Sequence, residues 1–205
     1  MMTTNLRRRI VAVALQEFSR HGIKAVKMDD IARILSISKR TLYQVFEEKQ
    51  QLLLECLKSR REQNLQYMQH FEQKGCNVIE ILIAFYQLRI RQMRGVNPSF
   101  FLDLQRYPAV VSYCQENRED ELQRSLLFFE RGQKEGFFRT DLHYEIIVYV
   151  AQSAIENVMS KKLYEKYSLS ELFDTFVLTL VRGVCTTKGI KTLDTCIENL
   201  PPSSD

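Results

Sequence analysis

Between positions 39 and 44 the chain places Lys39, Arg40, Thr41, Tyr43 and Gln44, an ammonium, a guanidinium, two hydroxyls and an amide. Groups of this kind on one surface suit hydrogen bonding to phosphate oxygens and to the edges of base pairs. Leu42 and Phe46 stand four apart in the same stretch, so a helix that buries those two turns the polar five outward. The segment Ser36–Phe46 therefore reads as the turn and second helix of a helix-turn-helix, with an outer face fit for a DNA major groove.

Such a face needs elements to hold it. From Asn5 to Arg20, Leu6, Ile10, Val11, Ala14, Leu15 and Phe18 recur at helical spacing and form one apolar stripe. Gly22 follows as a carboxyl cap able to take positive φ. A second helix is predicted to open near Met28, with Asp29 and Asp30 at its start where the macrodipole favours negative charge, and with Ile31, Ile34 and Leu35 toward the core.

The ordered set Phe18, Gly22, Asp30-Ile31-Ala32, Ile37-Ser38-Lys39, Thr41-Leu42-Tyr43, Phe46, Lys49 and Leu52 resembles the amino-terminal signature of TetR-family (tetracycline-repressor-like) transcriptional regulators. The resemblance covers about fifty residues and departs at three: Lys27 where relatives carry Ser or Thr, Ser36 where they carry Gly, and Arg40 where they carry a small residue. Ser36 at a turn position that prefers positive φ costs on the order of 1 kcal/mol. Arg40 brings a forked donor able to take O6 and N7 of one guanine.

The resemblance implies roles. Lys39, Tyr43 and Lys49 are expected to grip phosphates, with Lys27 adding charge nearby, and Arg40, Thr41 and Gln44 to read bases. It implies double-stranded DNA as partner and a homodimer whose two reading helices meet successive major grooves of a pseudo-palindromic operator. It also implies repression relieved by a small-molecule effector held among the middle helices. For that site the apolar and aromatic content offers Phe85, Tyr86, Phe101, Tyr107 and Phe128, with Arg89 and Gln152 as polar contacts, and ordinary core packing is the competing account of each aromatic.

Beyond Lys49 the helical pattern continues: a long helix to about Glu72, a second from Val78 to Gly95, a short aromatic element between Pro98 and Pro108, and one long helix from about Ala109 to Glu135. Residues 142 to 160 and 169 to 186 have wide apolar faces. One stripe of each is assigned to the chain's own core and another to the partner subunit, which makes Ile147, Ala151, Ala154, Phe173, Phe176, Val177, Leu180 and Val184 the expected dimer contacts. The expected architecture is all-α, about nine helices: a helix-turn-helix domain over 1–48, a helical effector-binding and dimerisation domain over 49–188, and a flexible tail over 189–205 that ends Pro-Pro-Ser-Ser-Asp.

Composition agrees with a globular helical protein, at 45% apolar and 26% charged residues, with 7 Gly and 4 Pro in 205 positions. Positive charge gathers where the motif lies: twelve Lys and Arg against six Asp and Glu in the first 60 residues, seventeen against nineteen in the rest. Arg7, Arg8 and Arg9 read as the start of this electrostatic footprint. The five cysteines are scattered and the three histidines never pair at metal-ligand spacing, so neither a metal, a cofactor nor a disulfide is expected. No catalytic set falls in a recognisable motif, so an enzyme is not expected. Apolar runs are too short to cross a membrane and no signal peptide begins the chain, so the cytoplasm is the expected location. A helix-turn-helix protein acting mainly through protein–protein contacts is the alternative, and salt dependence separates it from a DNA reader.

Overall fold

The computed structural model describes residues 2–199 and is all-α, with no strand among the described residues. The chain forms two compact units, Met1–Asn64 with Gly95–Asn117, and Leu65–Arg94 with Arg118–Asp205. The closing Pro-Pro-Ser-Ser-Asp lies outside the described residues.

The first unit holds α1 (Met2–His21), α2 (Met28–Ile34), α3 (Lys39–Val45), the amino-terminal part of α4 (Lys49–Gln73), α6 (Ser99–Leu104) and α7 (Pro108–Glu116). The stripe of α1 supplies Ile10, Ala14 and Phe18, which with Ile31, Leu42, Phe46, Leu52 and Leu53 form a core closed to solvent. Because Leu52, Leu53 and Cys56 of α4 belong to that core, the unit runs past the boundary expected at residue 48. Gly22 ends α1 at φ +83°, and a Cβ there would stand 2.2 Å from the Ser99 hydroxyl, so shape and backbone both demand glycine. The Asp103 carboxylate of α6, 6% exposed, accepts the Lys24 N–H at 2.7 Å, and Asn97 N–H donates to the Ser19 carbonyl at 2.8 Å. These bonds fix the loop that leads from α1 into α2.

The second unit holds α5 (Val78–Met93), α8 (Arg118–Lys134), α9 (Tyr144–Ser160), a 3-10 turn (Leu163–Glu165), α10 (Leu169–Val184) and α11 (Thr187–Glu198). Asn77 with Glu80, and Ser168 with Glu171, cap α5 and α10 by reciprocal side-chain bonds to backbone N–H groups. Val78, Ile79, Phe138, Tyr144, Val181, Val184 and Leu193 share the core.

Two expectations change. The long helix predicted over 109–135 breaks at Asn117, whose amide donates to the Tyr113 carbonyl at 2.7 Å and so satisfies the end of α7 before α8 begins. Most of the segment expected as a flexible tail is α11. Thr186 caps it by accepting the Gly189 N–H at 3.1 Å, and Ile190, Leu193 and Ile197 turn toward the core, Leu193 fully buried. An isolated antiparallel bridge pairs Phe138 with Cys185; around it Arg139 N–H donates to the Val184 carbonyl and Thr186 N–H to the Phe137 carbonyl, both at 2.9 Å. The bridge ties the α8–α9 connection to the α10–α11 turn.

Candidate nucleic-acid interface

The turn between α2 and α3 is built around Ser36 and Ser38. Ser36 takes φ +54°, the left-handed value expected of this position, and is exposed. Ser38 is the N-cap of α3: its hydroxyl accepts the Thr41 N–H at 3.0 Å and lies 2.8 Å from the Thr41 hydroxyl. Leu42 and Phe46 are wholly buried, so α3 is held by one face and shows the other. On that open face stand Arg40, Tyr43 and Gln44, with Tyr43 45% exposed despite its size. Thr41 is half-buried, its hydroxyl already engaged with Ser38, so its part in base reading is the least free of the three.

The lysines differ from one another. Lys27 is exposed at the N-cap of α2; having only donors, its side chain makes no cap bond. Asp30 supplies the bond instead, accepting the Lys27 N–H at 3.0 Å, and this contact first, then Arg33, holds its carboxyl below the ordinary range. Lys39 pairs with the Asp29 carboxylate of α2, and that hydrogen bond pushes the ammonium pKa up. Lys49 is not free. Its ammonium donates to the Val26 carbonyl and sits 5.7 Å from the centre of the Phe18 ring, and burial draws its pKa down against the opposing charges of Asp103 and Asp30. In the free protein the expected phosphate clamp at 49 is therefore an internal tie.

Arg7 is likewise engaged inside its unit, with its side chain 40% exposed. Its guanidinium bonds Glu55 at 2.9 Å and the Val45 carbonyl at 3.4 Å, and lies 4.4 Å over the Phe46 ring. It thus joins α1 to the carboxyl end of α3 and to α4. Sequence reading missed this role because the partners lie 38 and 48 residues away. Arg8 and Arg9 remain exposed.

The residues offered for an effector site fall in both units. Phe101 stacks edge-on with Phe100 at 5.3 Å and, like Tyr107, packs on the core of the first unit. Burial, then Asp103, raises the Tyr107 hydroxyl's pKa. Phe128 packs with Phe129 and Phe138 at 6.3 and 6.1 Å in the second unit. Tyr86 lies nearly parallel to Phe173 at 6.2 Å, Arg89 reaches Gln92 at 3.3 Å, and Phe85 and Gln152 are half-buried. Two open cavities of the second unit are lined by other side chains. One of about 580 Å³ lies along α8 and α9 by Leu126, Leu127, Tyr144 and Ile146; another of about 430 Å³ lies beside α10 by Val158, Tyr167, Leu172 and Phe176.

The apolar residues expected to meet a partner subunit differ in exposure within the chain. Val184 is 5% exposed and belongs to the chain's own core, so it has no area left for a partner. Ile147 and Val177 pack on that core, Phe173 faces Tyr86, and Ala151, Ala154 and Leu180 are half-buried. Among the described residues, the open large apolar side chains of α9 are Ile146, Tyr149 and Val150, at 60%, 51% and 54% exposure, with Leu127 of α8 at 64%. Phe176 keeps its place beside the cavity on α10.

Among the described residues no group of three or more His, Cys, Asp or Glu could hold a metal ion, and no helix is long and apolar enough to cross a membrane.

No curated protein matches the chain. Solved structures do. A TetR-family transcriptional regulator from Agrobacterium tumefaciens superposes at a TM-score of 0.71 with 12% identity, over 90% of this chain and 100% of that one. A putative transcriptional regulator from Saccharomonospora viridis, in complex with choline, gives 0.69 and 20% over 89% and 99%. A ketosteroid transcriptional regulator of Mycobacterium tuberculosis gives 0.59 and 17% over 88% and 95%. At these identities the likeness establishes the fold. Residues 10–56, the segment that carries α2, α3 and their supporting core, match the bacterial regulatory proteins of the tetR family. Residues 10–56 thus carry the helix-turn-helix segment of the tetR-family regulatory proteins, and the chain as a whole has the all-α fold of the solved transcriptional regulators it resembles.

Proposed function

We propose that this regulator is a repressor that binds a pseudo-palindromic operator as a homodimer and leaves it when a small molecule occupies its helical domain. The observation that carries the DNA-reading part is the division of α3 into two faces, Leu42 and Phe46 fully buried and Arg40, Tyr43 and Gln44 open. In this reading Arg40 and Gln44 read base edges, Thr41 assists, and Lys27, Lys39 and Tyr43 hold phosphates. Lys49 fixes the entry to α2 and reaches DNA only if it gives up Val26.

The homodimer is supported by the open apolar residues of α9 and the cavity beside Phe176 on α10, since apolar area on this scale is ordinarily covered by a partner. A two-fold pair would set its reading helices roughly 34 to 36 Å apart, one turn of DNA. The choline complex of the Saccharomonospora viridis relative supports a small-molecule effector. An effector that prefers the non-binding conformation lowers operator affinity by the ratio of its two affinities.

The test is to pass sheared DNA of the native genome over the full-length protein and sequence what is retained. A shared pseudo-palindrome, bound with steep salt dependence, is the expected outcome. Retention of no common sequence, or affinity indifferent to salt, would overturn the reading in favour of a protein–protein role.

A further inference from the structure

We propose that Asp29 is an internal competitor for DNA phosphate: it holds the Lys39 ammonium in the free protein, so every DNA sequence must displace it. The proposal rests on the reading that Lys39 grips a phosphate. Asp29 and Asp30 sit side by side in the first turn of α2, yet their side chains serve different ends. Asp30 is used locally, accepting the Lys27 N–H at 3.0 Å and the Arg33 guanidinium at 2.5 Å. Asp29 reaches across the motif to the first residue of α3.

The contact joins an acid that has no base to read and a lysine at the start of the reading helix. With the Lys39 and Asp29 side chains 68% and 44% exposed, the pair adds little to folding and is screened by salt. Its consequence falls on binding. When a phosphate oxygen takes the ammonium, the Asp29 carboxylate is left beside a polyanion. Both the lost pair and the new repulsion weaken binding, and neither depends on base sequence. Asp29 therefore lowers affinity for operator and random DNA by the same factor and leaves their ratio untouched. Salt also loosens the pair, which returns Lys39 to the DNA as salt rises and makes the salt dependence shallower than the phosphate count alone would give.

The experiment is fluorescence anisotropy of a labelled random-sequence duplex titrated with the full-length protein across a salt series. It compares the parent with Asp29→Asn, Lys39→Ala and the double variant. Asp29→Asn should bind about two- to fivefold more tightly at low salt, the span of an exposed ion pair, with a steeper salt slope. In the Lys39→Ala background the same substitution should change affinity by less than half as much. Asp29→Ser, which keeps a helix-favouring oxygen at the start of α2, guards against a misfolded variant and should behave alike. Unchanged or weaker binding by both Asp29 variants would overturn the proposal, as would an equal gain without Lys39. A parent protein that binds no duplex at any salt would overturn the DNA-reading function itself, and this inference with it.

Discussion

Lys49 offers a direct contest between an internal role and a DNA-facing one. Its ammonium donates to the Val26 carbonyl in the loop that enters α2 and lies 5.7 Å from the Phe18 ring centre. A hydrogen bond from a charged donor contributes about 1.5 to 3 kcal/mol, and a cation at that distance from an aromatic face adds roughly 0.5 kcal/mol. Part of this is offset by the burial that pulls the ammonium pKa down. Lys49→Ala should therefore destabilise the fold by about 1 to 2 kcal/mol, as the carbonyl also loses its partner. On DNA the same change should flatten the slope of log affinity against log salt by well under the roughly 0.9 that one phosphate contact commands. Urea unfolding followed by circular dichroism reads the first quantity, and anisotropy across a salt series the second. An unchanged unfolding midpoint together with a full slope loss of about 0.9 would place Lys49 on a phosphate and refute the internal assignment.

Three further outcomes test the supporting structure. Gly22→Ala must hold φ +83° and push into a Ser99 hydroxyl that is itself bonded to Asn97 at 2.8 Å; urea unfolding should show a loss of about 2 to 4 kcal/mol. Leu193→Ala opens the core beneath α11 and should cost about 2 to 5 kcal/mol in the same assay, whereas a residue in a loose tail would cost almost nothing. The Tyr144 hydroxyl donates to the Arg139 carbonyl at 2.7 Å, and burial pushes its pKa from 10 up to about 12. A raised folded-state value means that the stabilisation is complete below pH 10 and fades as pH climbs toward 12. Thermal melts should show Tyr144→Phe losing less stability than the parent over that interval.

The reading face was legible because local signals agree. The α1 stripe, Gly22 and the Leu42–Phe46 pair each demand helix or turn without help from distant residues, and Ser36 takes the positive φ that its place in the turn requires. What escaped was the partner of each charge. Arg7, Lys39 and Lys49 look alike in sequence as basic residues near a DNA-binding motif, but only folding brings Glu55, Asp29 and the Val26 carbonyl to them. On α9 the wide apolar band was plain, while its division was not. The chain's own core takes Ile147 and leaves Ile146 and Val150 open. In α11 a signal was present and outweighed. Thr186 as cap and the spacing of Ile190, Leu193 and Ile197 mark an amphipathic helix, yet the polar residues between them resemble a solvated tail.

The docking of α11 on α5 has a consequence for the order in which the chain matures. Val78 and Ile79 leave the ribosome long before Leu193, the residue that shares their core, and the Phe138–Cys185 bridge that positions α11 also waits for the later segment. Contacts this far apart in sequence form late. The buried core of the amino-terminal motif reaches no further along the chain than Val110, so the motif can take its DNA-reading shape while α5 still waits for α11. A nascent chain would then pass through a stage with a finished reading head and an exposed apolar helix, the kind of surface on which chaperones act and aggregation begins.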